Sequence, residues 1–387
     1  MTLSATPGGS SRVAALALMA LAAWMGPMAA GCRSREPVRI GIVVTDEAVV
    51  AAQLAASRIN ATGGIQGRRL ELRVIADGGS TRASPALAAA DALSSDPTVF
   101  AVVGHSNSSA SLAAAQIYNE RHVVQIATTS SAPLLSKAGP YTFRFAPSDI
   151  HQARFLAEQV LAAHGTPRTA MFFVNDDYGI ALHAEFRTRL GRAGVPVVYD
   201  APYSHEELLP DPAATALRVA ETHPELLVWI GRALQLRQLL PELRRLEPGL
   251  PVLASDGIDE AITDRNSAGL LNGVRYVRLV DPDAARAALG ELRQRFLPAA
   301  GLPLTAEAAL TYDGVMLLAT AARAAGPERE AIRAYLADVG TRRPSYEGVT
   351  GTIAFAENGD PRPSYMLAEI TAAGPRTVAP SAPEESP

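Results

Sequence analysis

Cysteine is almost absent from this chain: Cys32 is the only one in 387 residues, so no internal disulfide can form. Lys137 is the only lysine among 35 basic residues, and these face 39 acidic ones for a formal net charge of -4. That balance offers no basic stripe and excludes nucleic acid as a partner. Catalytic signatures are missing too, with no H-E-x-x-H, no Walker-type loop and no G-x-S-x-G; Gly104-His105-Ser106-Asn107-Ser108 only approximates the last. His105 beside Ser106 and Ser108 lacks a third orienting group, and neighbours on one loop rarely face each other, so the chain is not expected to be an enzyme. All seven histidines fall between His105 and His223 without metal-ligand spacing, and His205-Glu206-Glu207 reads as a solvated loop. No cofactor and no metal is expected.

Long hydrophobic runs are lacking as well. Val13 to Trp24 is apolar but too short to span a membrane comfortably, and Arg12 precedes it. Met28-Ala29-Ala30-Gly31-Cys32 then sets small residues before the cysteine. The arrangement resembles a bacterial lipoprotein signal, which implies cleavage after residue 31, acylation of Cys32 and attachment to a membrane outside the cytoplasm. Ala29 stands where that pattern usually has Leu; the other reading is a soluble secreted protein with an incidental cysteine.

Apolar residues make up 48% of the chain and charged residues 19%, an ordinary globular balance at a length that suits two or three domains. The organising stretch is Val99 to Pro133. An apolar run, Val99 to Val103, ends at Gly104 and predicts a buried strand; Leu112, Ala113, Ile117 and Tyr118 then recur at helical spacing, and Val123 to Ile126 predicts a second strand. Strand, loop, helix and strand make a βαβ unit with parallel neighbouring strands. Ligands bind beyond the carboxyl ends of such strands. Two hydroxyl clusters fall there, Ser108-Ser109 at a helix N-terminus that favours anions, and Thr129-Ser130-Ser131. The same residues also serve as ordinary helix caps, and on this unit alone the two readings stand level.

Around this unit, strands are predicted at Val38 to Val44 and Leu70 to Ala76, with helices at Glu47 to Asn60 and Pro85 to Leu93. Asp77-Gly78-Gly79 reads as loop. Tyr141 to Phe145 leads out of this lobe into a second alternation of strand and helix, from Asp149 to Ser255-Asp256-Gly257. Asp176-Asp177 is expected to cap the following helix and shape a cleft. Gly273 to Leu279 reads as a strand crossing back, and Ala373 to Pro387 as a disordered tail. The fold expected is α/β, two doubly wound lobes joined by a hinge of crossing strands, with ligand held between their strand ends.

INATGGIQGRRLELRVIADGGS, VVGHSNSSAS, IATTSSAPLLS, YTFRFAPSD and FFVNDDYGIA, in this order, resemble type I periplasmic binding proteins, most closely the Leu/Ile/Val-binding proteins of bacterial ABC importers. The resemblance spans Val38 to Ile370 and implies a monomer that captures an amino acid or related polar molecule for an ABC permease. With the N-terminal signal and the composition of the two ends, the division expected is a signal peptide (1–31), a tether (32–37), lobe 1 (38–148 and 279–340), lobe 2 (149–278 and 341–372) and the tail (373–387). By that resemblance Ser108 binds a ligand carboxylate, Thr129 and Ser131 bind carboxylate and ammonium, Tyr178 lines the second lobe and Asp256 holds the ammonium. With Ser109, Ser130 and Arg232 these make up the expected ligand-binding set.

Two departures stand out. The family carries a longer Gly-containing loop after the first strand, with an aromatic ligand contact; here only Val44-Thr45-Asp46-Glu47 remains, so the pocket lacks a wall or is closed differently. Arg232 follows Gly231 where many members have an aromatic. Buried, it would favour an anionic group on the ligand; pointing to solvent, it would only cap the next helix. The competing function is a regulatory or scaffolding lipoprotein of the same fold that contacts a protein partner.

Overall fold

Apolar runs set the frame. VFAVVG and LLVWI become strands buried along their whole length, Val99–Gly104 (β3) and Leu226–Ile230 (β8), as parallel strands covered on both faces must be. The computed structural model describes residues 1–2, 36–76, 82–204, 206–263, 269–281 and 284–380. The expected signal peptide, Cys32, Asp77-Gly78-Gly79 and His205 lie outside the described residues. The chain divides into Met1–Glu36 and Pro37–Pro387, and the second unit carries every element below.

The first sheet holds Val38–Val43 (β1), Leu70–Val74 (β2), β3, Val124–Ala127 (β4) and Thr142–Arg144 (β5), all parallel, in the order β2-β1-β3-β4-β5. Helices Asp46–Ala61 (α1), Ala83–Ser94 (α2) and Ser108–Glu120 (α3) connect its strands. The second sheet holds Thr169–Val174 (β6), Val197–Tyr203 (β7), β8, Val252–Ala254 (β9) and Arg275–Arg278 (β10). Its helices are Asp149–His164 (α4), Asp177–Arg192 (α5), Pro212–Ala220 (α6) and Ala233–Leu246 (α7). Asp176 caps α5 as expected, its carboxylate accepting from the Gly179 amide at 2.8 Å.

The chain then returns to the first lobe with Ala287–Ala300 (α8), Ala306–Ala325 (α9) and Arg329–Asp338 (α10). Helix α9 is apolar on nearly every side and fills the first core against α1 and β3. The small hairpin Tyr346–Glu347 (β11) and Thr352–Ile353 (β12) also belongs here: Val349, Ile353 and Phe355 pack in the first core. The final passage to the second core is complete by Tyr365. It therefore begins after Phe355 and not at residue 341, because these apolar side chains have already been committed to the first lobe.

Met366–Thr371 (β13) and Gly374–Pro380 (β14) extend the second sheet antiparallel, giving the order β14-β13-β10-β9-β8-β6-β7. The disordered tail expected from Ala373 is corrected over β14. Its prolines lack an N–H, but an edge strand bonds on one side only and tolerates them.

Crossings occur after β5, after β10 and between Phe355 and Tyr365. Leu279 packs against both cores at the second of these. Arg144 pins the first and third together: its guanidinium is buried and donates to Asp360 Oδ1 at 2.7 Å, the Ala132 carbonyl at 3.0 Å and Ser136 Oγ at 2.6 Å.

Candidate ligand-binding site

In each sheet the strand order reverses once, at β1/β3 in the first and β6/β8 in the second. Ligand crevices open at such switch points, outside the carboxyl ends of the strands. A cavity of about 360 Å³ lies where these two edges meet, lined by Thr45, Ser106 and Ser108 from the first lobe and by Tyr178, Arg232 and Asp256 from the second. That volume suits a small molecule.

Gly104 and Gly231 give the chain its sharp exits from β3 and β8. Their φ angles are 130° and 144°, and a Cβ would strike the Val43 carbonyl at the first and the Tyr203 hydroxyl at the second. After Gly104, Ser108 opens α3 with its hydroxyl turned to the neighbouring loop. Its oxygen accepts from the Ser131 and Ala132 amides, each at 3.2 Å, which leaves its own proton to donate. Thr129 donates to the Ser106 carbonyl at 2.7 Å.

On the facing lobe, Tyr178 in the first turn of α5 places its hydroxyl 2.6 Å from Asp256 Oδ1 and 2.8 Å from Ser255 Oγ. Gln152 donates to the same Asp256 oxygen at 3.0 Å. Burial raises the Asp256 carboxyl above its ordinary pKa, while Tyr178, Gln152 and the charge of Arg232 pull it back. Burial, then the Asp256 charge, holds the Tyr178 phenol well above its usual value.

Arg232 spans the cleft. Its guanidinium lies over the Tyr178 ring, 5.6 Å from the centroid, and donates to Asn107 Oδ1 at 2.6 Å. Two more bonds join the lobes nearby: Arg82 pairs with Glu206 at 3.1 Å, and the Asp177 amide donates to Ser109 Oγ at 3.4 Å. The lobes are closed.

The shortened connection after β1 is closed by α9. Glu307, in the first turn of that helix, accepts from Thr45 Oγ1 at 3.1 Å and from Ser106 Oγ. It is partly accessible, but through the cavity it lines. Burial raises its pKa to about 7, with the Glu47 charge adding to the rise and the Ser106 and Thr45 hydrogen bonds opposing it.

The periplasmic binding protein family profile matches residues 43–375. The chain belongs to this family. Periplasmic binding proteins bind solutes and are not enzymes. A Leu/Ile/Val-binding protein homologue of Brucella suis is 25% identical over 346 residues, 85% of this chain and 89% of that one. An ABC transporter substrate-binding protein of Desulfitobacterium hafniense, crystallised with Leu, is 25% identical; the match covers 89% of this chain and 100% of that one, with a TM-score of 0.75. The leucine-binding protein LivK of Thermotoga maritima shares the fold at a TM-score of 0.79 and 21% identity, over 90% of this chain and 99% of that one.

Of the expected set, Ser108, Thr129, Tyr178, Arg232 and Asp256 line the cavity. Arg232 thus faces the cleft and not solvent, and its side chain does not cap α7. Ser109, Ser130 and Ser131 stand outside the cavity wall. Ser109 meets the Asp177 amide; Ser130 is buried beneath the loop, bonded to Ser111 Oγ at 2.7 Å and the His105 carbonyl at 3.2 Å; Ser131 is buried and contributes its amide to Ser108. Consecutive residues of an extended loop point to different sides, so one cluster cannot present every hydroxyl. Sequence reasoning missed Glu307, Asn107, Gln235 and Asp259, all of which line the cavity. The shortened loop was the one signal that something else must supply a wall.

Proposed function

We propose that this periplasmic binding protein is the substrate-binding component of an ABC importer, capturing an amino acid or related small polar molecule between its lobes. The observation that carries this reading is the cavity of about 360 Å³ between the lobes, with hydroxyl groups from one lobe facing a carboxylate and an aromatic from the other. Ser108 donates its free proton to the ligand carboxylate, Thr129 stands beside it, Tyr178 packs against the ligand and Asp256 takes the ammonium. Arg232 closes the cleft over them. Because ligand touches both lobes, it stabilises the closed form by its differential affinity and so marks the loaded protein for the permease.

Export by the signal peptide and acylation of Cys32 would tether the protein outside the cytoplasm, where a monomer can meet its permease. No helix among the described residues is long and apolar enough to cross a membrane.

A thermal-shift screen of refolded, ligand-free protein against amino acids, amides and carboxylates tests the reading. A saturable rise in melting temperature with one class is expected, since ligand stabilises the state it binds. A folded protein that responds to none of them overturns it.

A further inference from the structure

The cavity wall is rich in acceptors and its donors are largely spent. The Thr45 and Ser106 hydroxyls are taken by Glu307, the Thr129 hydroxyl by the Ser106 carbonyl, the Tyr178 hydroxyl by Asp256, and the Gln235 amide by the Ser204 and Glu207 carbonyls at 3.3 and 2.9 Å; the Ser108 proton remains for the ligand carboxylate. Four carboxylates line the same space: Glu47, Asp256, Asp259 and Glu307. Two of these are balanced. Asp259 receives Arg278 at 3.0 Å and the Tyr276 hydroxyl at 2.7 Å, and Asp256 lies within the field of Arg232. Glu307 and Glu47 sit at the first-lobe wall, where neither forms an ion pair among the described residues. Arg232 is the only basic side chain lining the cavity among those residues; its guanidinium lies over Tyr178 and bonds Asn107 in the first lobe, and it forms no ion pair with Glu307 or Glu47 among them.

Resting on the solute-binding reading above, we infer that the ligand is an amino acid whose side chain ends in an ammonium or guanidinium group, received by Glu307 and Glu47. Two like charges lining one cavity with no counter-ion are costly for the empty protein, and a cation removes that cost on binding. Glu307 is also held in place by Thr45 and Ser106, so little rotamer freedom is lost when the ligand arrives. An aliphatic side chain in the same position would desolvate both carboxylates and pair with neither. The wall that closes behind the shortened β1–α1 connection therefore selects charge and not shape alone.

The discriminating pair is L-lysine and L-norleucine, which share a carbon chain and differ in the terminal ammonium. Calorimetric titration of the full chain, stripped of bound ligand, is expected to show lysine or arginine binding at least about tenfold more tightly than norleucine, the yield of one charge-assisted hydrogen bond. Glu307→Gln is expected to collapse that ratio. If this variant fails to fold, Glu47→Gln carries the same test, because the Glu47 side chain forms no hydrogen bond among the described residues. Cadaverine, an ammonium ligand without a carboxylate, separates the two sources of the chemistry: binding weaker than lysine supports an amino acid, and binding as tight as lysine overturns that part and assigns the site to diamines. Norleucine or leucine equalling lysine, or a ratio that survives both substitutions, overturns the inference and leaves solute binding standing. No binding by any of these compounds, in a protein that also gives no thermal shift, overturns both.

Discussion

Arg232 reaches from the second lobe to Asn107 in the first, Nη2 to Oδ1, at 2.6 Å. The bond ties the loop after β8 to the loop after β3, the two glycine-turned exits at the switch points. It exists only while the lobes are shut, so it belongs to the closed state alone. Arg232→Ala is expected to shift the unliganded protein toward an open form and to lower ligand affinity by about tenfold, the worth of one charge-assisted hydrogen bond. Small-angle scattering with and without ligand checks it: a larger radius for the free variant than for the free wild type is the expected result. Identical radii and affinities would mean that the bond follows closure without contributing to it.

Ser108 and Asp256 separate under mutation because they do different work in the fold. Removing the Ser108 hydroxyl leaves the buried Ser131 and Ala132 amides without their acceptor, so Ser108→Ala is expected to cost about 1–3 kcal/mol of stability as well as affinity. Asp256→Asn keeps an oxygen for Tyr178 and Gln152 but no longer offers a charge to an ammonium. Its stability is expected to change little, since burial already disfavours the charged form, while affinity falls on the order of tenfold or more. Denaturant melts paired with titrations distinguish the two. Wild-type affinity in both variants would remove these residues from the ligand.

The frame of this protein was legible because its physics is local. β3 and β8 announce themselves as continuous apolar runs, and the serines, tyrosine and aspartate of the cleft follow strand ends directly, so Ser108, Tyr178 and Asp256 could be placed by neighbours in the chain. Glu307 could not. It meets Thr45 from a point 262 residues later, and nothing in the helical pattern of α9 marks one glutamate of its first turn as facing a cavity instead of solvent. The loss of Ser130 and Ser131 from the wall has the opposite cause: hydroxyl clusters are visible in sequence, but which hydroxyls point inward depends on the turn of each peptide. β14 was hidden by its prolines, which argue against a central strand and are silent about an edge.

Gly231 tests how strictly the cleft is built. At a φ of 144° an alanine is strained, and its Cβ would collide with the Tyr203 hydroxyl, which accepts from the Arg232 amide at 2.7 Å. Gly231→Ala is therefore expected to lower stability by about 2 kcal/mol or more and to displace Arg232 along with it. A thermal melt reads the first effect and ligand affinity the second. Gly191 is the control: it lies in α5 with open space where a Cβ would go, so Gly191→Ala is expected to be neutral or stabilising, by up to about 1 kcal/mol. Equal behaviour of the two variants would refute the close approach at Gly231.

The pH dependence follows from Glu307. The groups that face it are Glu47 and Thr45 from the β1–α1 connection and Ser106 from the loop after β3, with Asp256, Asp259 and Arg232 across the cavity. Its pKa is raised to about 7 in the folded protein from 4.5, so between those values the folded state binds more protons than the unfolded state. Stability must then fall as pH rises through that window, by at most about 2–3 kcal/mol after allowing for solvent reaching the group through the cavity. Glu307→Gln is expected to flatten this slope. A cationic ligand favours the ionised carboxylate, so its binding near pH 7 releases a proton, and its affinity climbs from pH 6 to 8 while that of a neutral-chain ligand does not. Titrations in two buffers of different ionisation enthalpy report the proton directly. Equal heats in both buffers, with a pH-independent melting temperature over the same range, would show that Glu307 is ionised throughout and that the carboxylates of this wall are better solvated than their place in the cleft implies.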